Sequence, residues 1–156
     1  MRKAPYSLLR NNLVLRNAEI SDADVLLNWR NNLQTRKASR NEKIILRSEH
    51  IKWLQNVLCD PSRLLLIAEY NGKAVGTVRL DRTNNYAEIS WTIAPDARGR
   101  GFGKEIVKAV AQKHKGPLCA HIRSGNAASA RIAMHAGMKL DREENGYMHF
   151  YKGEAL

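Results

Sequence analysis

Hydrophobic and polar positions alternate along this chain with two different periods, and the switches between them outline its elements. LVLR at 13–16 reads as a short extended segment. Ser21-x-x-Asp24 then offers a cap for a helix ending near Trp29-Arg30. Ser48 can cap a second helix, where Ile51, Leu54, Val57 and Leu58 share a face before Asp60-Pro61 stops it. Turn chemistry changes next: Asn71-Gly72 predicts a two-residue hairpin between RLLLIAEY and KAVGTVRL, and Asn84-Asn85 a turn before YAEISWTIAP. A three-strand meander follows from that. Helical spacing returns from about Gly101 to His114, with Ile106, Val107 and Val110 as the buried stripe, and Gly116-Pro117 ends it. LCAHIR reads as a buried strand, Asn126 as the N-cap of a helix through Ala136, Gly137 as its stop, and Asn145-Gly146 as a last hairpin. The sum is a mixed α/β domain: two helices, a β-meander, then a strand–helix–strand–helix–strand stretch.

No repeat, low-complexity tract or linker interrupts the 156 residues, so one domain spanning 1–156 is expected. No stretch has the apolar length of a membrane span, and MRKAPYSLLRNN lacks a signal peptide's apolar core, which points to the cytoplasm. Cys59 and Cys119 lack metal-ligand spacing and read as buried free thiols, so no metal is expected. Charge changes the picture more. Lys plus Arg exceed Asp plus Glu by 26 to 15, a net +11 that attracts polyanions: nucleic acid, anionic lipid or phosphorylated small molecules. The densest cluster is Arg36, Lys37, Arg40, Lys43 and Arg47.

The chain holds 10 glycines, and three of them fall within RGRGFGK at 98–104. A Walker loop is excluded, because Gly103-Lys104 is followed by Glu105 rather than the Ser or Thr that holds magnesium. A dinucleotide fingerprint fits poorly, with Lys104 at its third glycine and no βαβ unit before it. Arg98-x-x-Gly101-x-Gly103 between strand and helix is a third design. Backbone N–H groups freed of side chains converge on an anion there, aided by the helix N-terminus. The plain alternative is a flexible turn with solvated arginines.

IAPDARGRGFGKEIVKAV resembles the acetyl-CoA loop and following helix of the GNAT superfamily of N-acyltransferases, and Asn126, Ser129 and Gly137 in NAASARIAMHAGM are similar to its Asn-x-x-Ser/Ala…Gly-Phe signature. The resemblance covers essentially the whole chain. It implies a mostly antiparallel twisted sheet flanked by about four helices and splayed by a bulge between strands four (86–93) and five (118–123), with pantetheine in the gap. Ser90 is compatible with that bulge. Acetyl-CoA is the implied cofactor. Its implied contacts are Ile93, Arg98, Gly99, Arg100, Gly101, Gly103, Lys104, Asn126 and Ser129.

Alternation along AEISWTI puts Glu88, Ser90 and Thr92 on one strand face and Ala87, Ile89, Trp91 and Ile93 on the other. Acetyl transfer to an ammonium needs a base, and in several GNAT members a glutamate in a similar Ala-Glu-Ile context serves. Glu88 is the expected general base; the alternative is a strand glutamate paired with an arginine. Many relatives place a tyrosine seven residues after the asparagine as the leaving-group acid. That position is Ala133 here, so Ser129, His135 or water could fill the role. Asn126 reads both as N-cap and as a pantetheine partner.

Trp29-Arg30-Asn31, Arg36, Ser39 and His50-x-x-Trp53, with VGTVRLDR and AEISWTIAP, resemble the N-acetyltransferases of nucleotide-linked 4-amino sugars on the way to pseudaminic and related nonulosonic acids. The resemblance implies a UDP-sugar acceptor, with its diphosphate on Arg30 and Arg36 and Trp29 or Trp53 stacked on a flat ring. Packing of those tryptophans in the core is the alternative. The expected partner is a small molecule, neither a membrane nor nucleic acid, and a homodimer is compatible. Ribosomal-protein or peptide N-terminal acetyltransferases are one rival. A basic acyl-CoA or nucleic-acid binding module without catalysis, suggested by Ala133 and Met138, is the other.

Overall fold

A computed structural model describes residues 12–153. The N-terminal stretch read above falls almost wholly at 1–11, outside the described residues. The backbone forms β1 (Leu13–Asn17), a 3-10 turn (Ile20–Asp22), α1 (Ala23–Asn31), α2 (Leu33–Ala38), α3 (Arg47–Cys59), β2 (Arg63–Tyr70), β3 (Lys73–Arg82) and β4 (Ala87–Ile93). After a second 3-10 turn (Pro95–Ala97) come α4 (Phe102–Lys113), β5 (Leu118–Arg123), α5 (Ala127–His135), β6 (Lys139–Glu144) and β7 (Tyr147–Lys152). The strands make one sheet in the order β1-β2-β3-β4-β5-β7-β6. All its pairs are antiparallel except β4–β5.

Both hairpins close as their residues require: Asn71 and Gly72 have φ of 51° and 77°, Asn145 and Gly146 53° and 79°, the paired left-handed conformations that match strand twist. The core lies between the sheet and its helices. Leu13, Leu15, Leu66, Val78, Leu80 and Ile89 meet the α4 stripe of Ile106, Val107 and Val110, each at most 1% exposed. Leu54 and Val57 bury the inner face of α3.

Several expectations change. The stretch after Arg30 holds a further short helix, α2, whose N-terminus is capped by Asn32: its side-chain oxygen accepts from the N–H of Gln34 and Thr35. Helical spacing over six residues is too brief to register as a period. Neither serine caps as expected. Ser21 sits inside the 3-10 turn, where the Glu19 N–H donates to Asp22, and α3 begins one residue before Ser48, with the Leu46 N–H donating to Glu49. Cys59 is exposed rather than buried; Cys119 is buried, and both are free thiols.

The parting of β4 and β5 is present without the bulge. Register between β3 and β4 runs unshifted from Gly76↔Ile93 to Arg82↔Ala87, while β4 and β5 pair at Ala87↔Leu118 and Glu88↔Cys119 and not beyond. Two neighbouring strands that stop exchanging hydrogen bonds leave edge groups of both facing a common gap.

Candidate functional site

The fork between β4 and β5 opens beside the turn that starts α4. Gly99 and Gly101 have φ of 76° and 83°, and a Cβ at either would meet nothing within 4 Å. Open space therefore surrounds them, and their need is conformational. Gly103 answers a different demand, because a Cβ there would lie 2.6 Å from Ile132 Cδ1 and 3.4 Å from Ile93 Cγ1, so a side chain would make Ile132 shift where α4, α5 and the end of β4 close together. Among the described residues no acceptor meets the backbone N–H of Gly99, Arg100, Gly101, Gly103 or Lys104. Unpartnered amides at a helix N-terminus fit an anion such as a pyrophosphate.

The basic side chains of this turn are placed differently from one another. Arg98 turns inward: its guanidinium donates to the Ile93 carbonyl (3.3 Å), to Asn32 Oδ1 (3.4 Å), to Thr35 Oγ1 (2.9 Å) and to the Gln34 side-chain oxygen. It clamps the turn to α2. Arg100 lies over the rings of Tyr70 and Phe102, with Cζ 5.4 and 4.8 Å from their centroids. Lys104 is exposed.

At the start of α5 the Asn126 side-chain oxygen accepts from the Ser129 N–H at 3.1 Å, which is the expected N-cap and leaves the Asn126 amide nitrogen free for another partner. Both residues are half-buried. Ala133 is 0% exposed and Met138 2%, so no side chain at either reaches solvent; His135 is exposed at the helix end.

Glu88 stands on β4 at the point of the fork, half-buried, in a polar group. Its Oε1 accepts from Arg40 Nη2 at 2.8 Å and lies 3.3 Å from His121 Nδ1, while Arg40 Nη2 is 2.9 Å from that same imidazole nitrogen. The His121 ring meets that of His149 edge to face, centroids 4.7 Å apart. Burial and the neighbouring Glu88 charge push the Cys119 thiol up to about 11, which keeps it protonated and unreactive. Two clefts meet at the histidine pair, one reaching Tyr86, Asp141 and Tyr151, the other Arg40, Glu144 and Tyr147. His121 and His149 were not singled out in the sequence, and Arg40 only as a member of the basic cluster. One signal was available: if β5 runs parallel to β4, then Cys119, His121 and Arg123 line the same face as Glu88.

The residues read as acceptor contacts divide. Trp29 is 6% exposed and His50 4%, both buried among the N-terminal helices, so neither presents a face to a ligand. Burial holds the His50 imidazole below its ordinary pKa, against a backbone hydrogen bond at Ala23 that raises it. Trp53 is half-buried, with the His50 ring centroid 5.4 Å away and Arg79 Cζ 5.8 Å from its own. Arg30 donates to the Asn41 carbonyl (2.6 Å) and Arg36 to those of Asn31 and Glu42 (3.2 and 3.0 Å). Asn31 bonds both ways with the Ile45 backbone, at 2.8 and 2.9 Å. The Ser39 hydroxyl donates to the Thr35 carbonyl, and its own carbonyl accepts from Arg123. Together these residues shape the loop 39–46 that carries Arg40 to the fork. Lys37 and Lys43 stay exposed.

Among the described residues no group of three or more His, Cys, Asp or Glu could hold a metal ion, and no helix is long and apolar enough to cross a membrane. The family described as Acetyltransferase (GNAT) domain matches residues 12–139. No protein of curated function matches the sequence. Solved structures do match. A spermidine N-acetyltransferase from Vibrio cholerae in complex with CoA and spermine superposes with a TM-score of 0.81 at 19% identity, over 92% of this chain and 96% of that one. A ribosomal L7/L12 alpha-N-protein acetyltransferase in complex with coenzyme A gives 0.80 at 15%, over 94% and 97%. A domain from Methanocaldococcus jannaschii gives 0.78 at 21%, over 90% and 97%. At such identities the likeness speaks for the fold.

Proposed function

The chain belongs to the GNAT acetyltransferase family, and from that premise we propose that it moves the acetyl group of acetyl-CoA directly onto the primary amine of a small anionic acceptor, with Glu88 as general base. The observation that carries this reading is the fork: β4 and β5 stop pairing at Glu88↔Cys119, next to a glycine turn where, among the described residues, the amides of Gly99, Arg100, Gly101, Gly103 and Lys104 meet no acceptor. Amides of 99–104 hold the pyrophosphate, the Asn126 amide nitrogen and Ser129 line the cofactor's path, and Glu88 meets the incoming ammonium. Acetyl-CoA supplies the activated acyl group. Arg98 acts one step back, since it fixes the turn that bears the amides. With Ala133 buried, water protonates the departing thiolate.

For the acceptor we favour a UDP-linked 4-amino sugar. Its support is the residue pattern from Trp29 to Trp53 and the net charge of +11, which repels a polyamine and attracts a nucleotide sugar. Arg30, Asn31 and Arg36 build the acceptor loop rather than touch the acceptor, and the exposed Lys37 and Lys43 meet the diphosphate.

Acetyl-CoA consumption against UDP-linked 4-amino sugars, ribosomal-protein N-terminal peptides and spermidine tests this. The sugar should be turned over fastest. Turnover of the peptide alone would move the protein to the N-terminal acetyltransferases; coenzyme A binding without turnover, joined to steeply salt-dependent nucleic-acid binding, would make it a binding module. Glu88→Gln should lower kcat by about 10²-fold or more while calorimetry finds coenzyme A affinity unchanged. Undiminished kcat removes Glu88 from the role.

A further inference from the structure

Arg40 Nη2 occupies a defined seat. It donates to Glu88 Oε1 at 2.8 Å and approaches His121 Nδ1 at 2.9 Å. A guanidinium only donates, so as a hydrogen bond this contact requires the imidazole nitrogen facing it to accept, as it does in the tautomer with the proton on Nε2. A cationic N–H donor lodged between a carboxylate and an unprotonated imidazole nitrogen is the arrangement an ammonium adopts just before it loses a proton.

The seat is built rather than incidental. Arg123 donates to the Ser39 carbonyl (3.1 Å) and to Glu42 Oε1 (3.0 Å), while Arg36 and Asn31 fix the backbone at Glu42 and Ile45. The loop is thus braced on both sides of Arg40, whose own side chain is 64% exposed and has Glu88 and His121 as its hydrogen-bond partners. An ion pair so exposed contributes little, so a small amine can displace it. The cleft lined by Arg40, His121, Glu144, Tyr147 and His149 opens onto the same atoms.

We infer that the acceptor nitrogen takes the place held by Arg40 Nη2, that His121 is a second catalytic group which takes one of the two protons the ammonium loses while Glu88 takes the other, and that Arg40 is a displaceable stand-in for the acceptor. This rests on the acetyltransferase reading. The ammonium gives one proton to His121 Nδ1, and the freed lone pair attacks the thioester carbonyl carbon. The C–S bond then breaks with its electron pair on sulfur. Glu88 takes the second proton from the nitrogen and passes it through water to the thiolate, and the imidazolium releases the first to solvent. The groups facing His121 are Arg40 from the loop, Glu88 from β4, Tyr86 just before it, His149, Tyr147 and Tyr151 from β7, Asp141, Arg142 and Glu144 from β6, and Cys119 and Arg123 on its own strand.

Two measurements decide it. His121→Asn keeps an acceptor atom near Nδ1 but cannot take a proton. It should lower kcat for the amine found in the acetyl-CoA assay by 10- to 100-fold, leave KM within about threefold, and remove one limb of the pH–rate profile. Wild-type kcat with an unchanged profile overturns the catalytic role. In the second, n-propylammonium is titrated into the cofactor-free protein under imidazole-nitrogen NMR. It should perturb His121, and in Arg40→Ala should do so at several-fold lower concentration. Signals unmoved in both proteins, or equal midpoints, overturn the shared seat. Failure of the acetyltransferase reading looks different: wild type then turns over no amine, and the ammonium titration, which needs neither turnover nor acetyl-CoA, still decides the seat.

Discussion

Residues 30–47 and residues 98–104 are both rich in basic side chains, and the fold uses them in opposite ways. In the first stretch Arg30, Asn31 and Arg36 turn onto the chain's own backbone at 41, 42 and 45. In the second the backbone N–H groups of Gly99, Arg100, Gly101, Gly103 and Lys104 meet no acceptor among the described residues, while Arg98 is drawn inward to α2 and Arg100 lies across two rings. On the proposed reading, an anion at the glycine turn is held by amides more than by arginines. A cluster of basic letters therefore reports how much charge is present, but not whether it faces a ligand, because a guanidinium offers five donors and the carbonyls of a nearby loop can take them up.

Arg98 tests that contrast most severely. If it is a clamp, Arg98→Ala should cost about 2 kcal/mol of unfolding free energy in denaturant titration, for a charged group that binds four acceptors. Coenzyme A affinity should fall only a few-fold; a large loss of affinity without loss of stability would return Arg98 to the phosphate. Gly101→Ala should act the other way round. Its φ of 83° is costly for a side chain, by about 1–2 kcal/mol, and because the surroundings are open the turn can relax and re-aim its amides. Calorimetry should show coenzyme A binding weakened about tenfold, at smaller cost to the fold.

The smallest effect belongs to His50 in the N-terminal half. Burial depresses its pKa below the unfolded value, so its contribution to stability is whole above about pH 6.5 and is lost as pH falls towards the folded pKa. Thermal midpoints should drop between pH 7 and pH 5, and His50→Gln should flatten that slope. A slope unchanged by the substitution would mean that another group carries it.

Local rules made much of this protein legible in its sequence. Hairpins at Asn71-Gly72 and Asn145-Gly146, the Asn126 cap, the Gly116-Pro117 break and the α4 stripe each depend on a few consecutive residues and their backbone preferences, so no distant contact can readily overrule them. The same holds for the glycines that free the amides of the α4 turn. Tertiary structure alone decided where charge points. That Trp29 and His50 are buried, that Arg98 reaches Thr35 across 63 positions and that Arg40 reaches Glu88 across 48 depend on which elements the sheet order brings together. Long, flexible side chains choose partners by distance in space, and that distance exists only once the chain has folded.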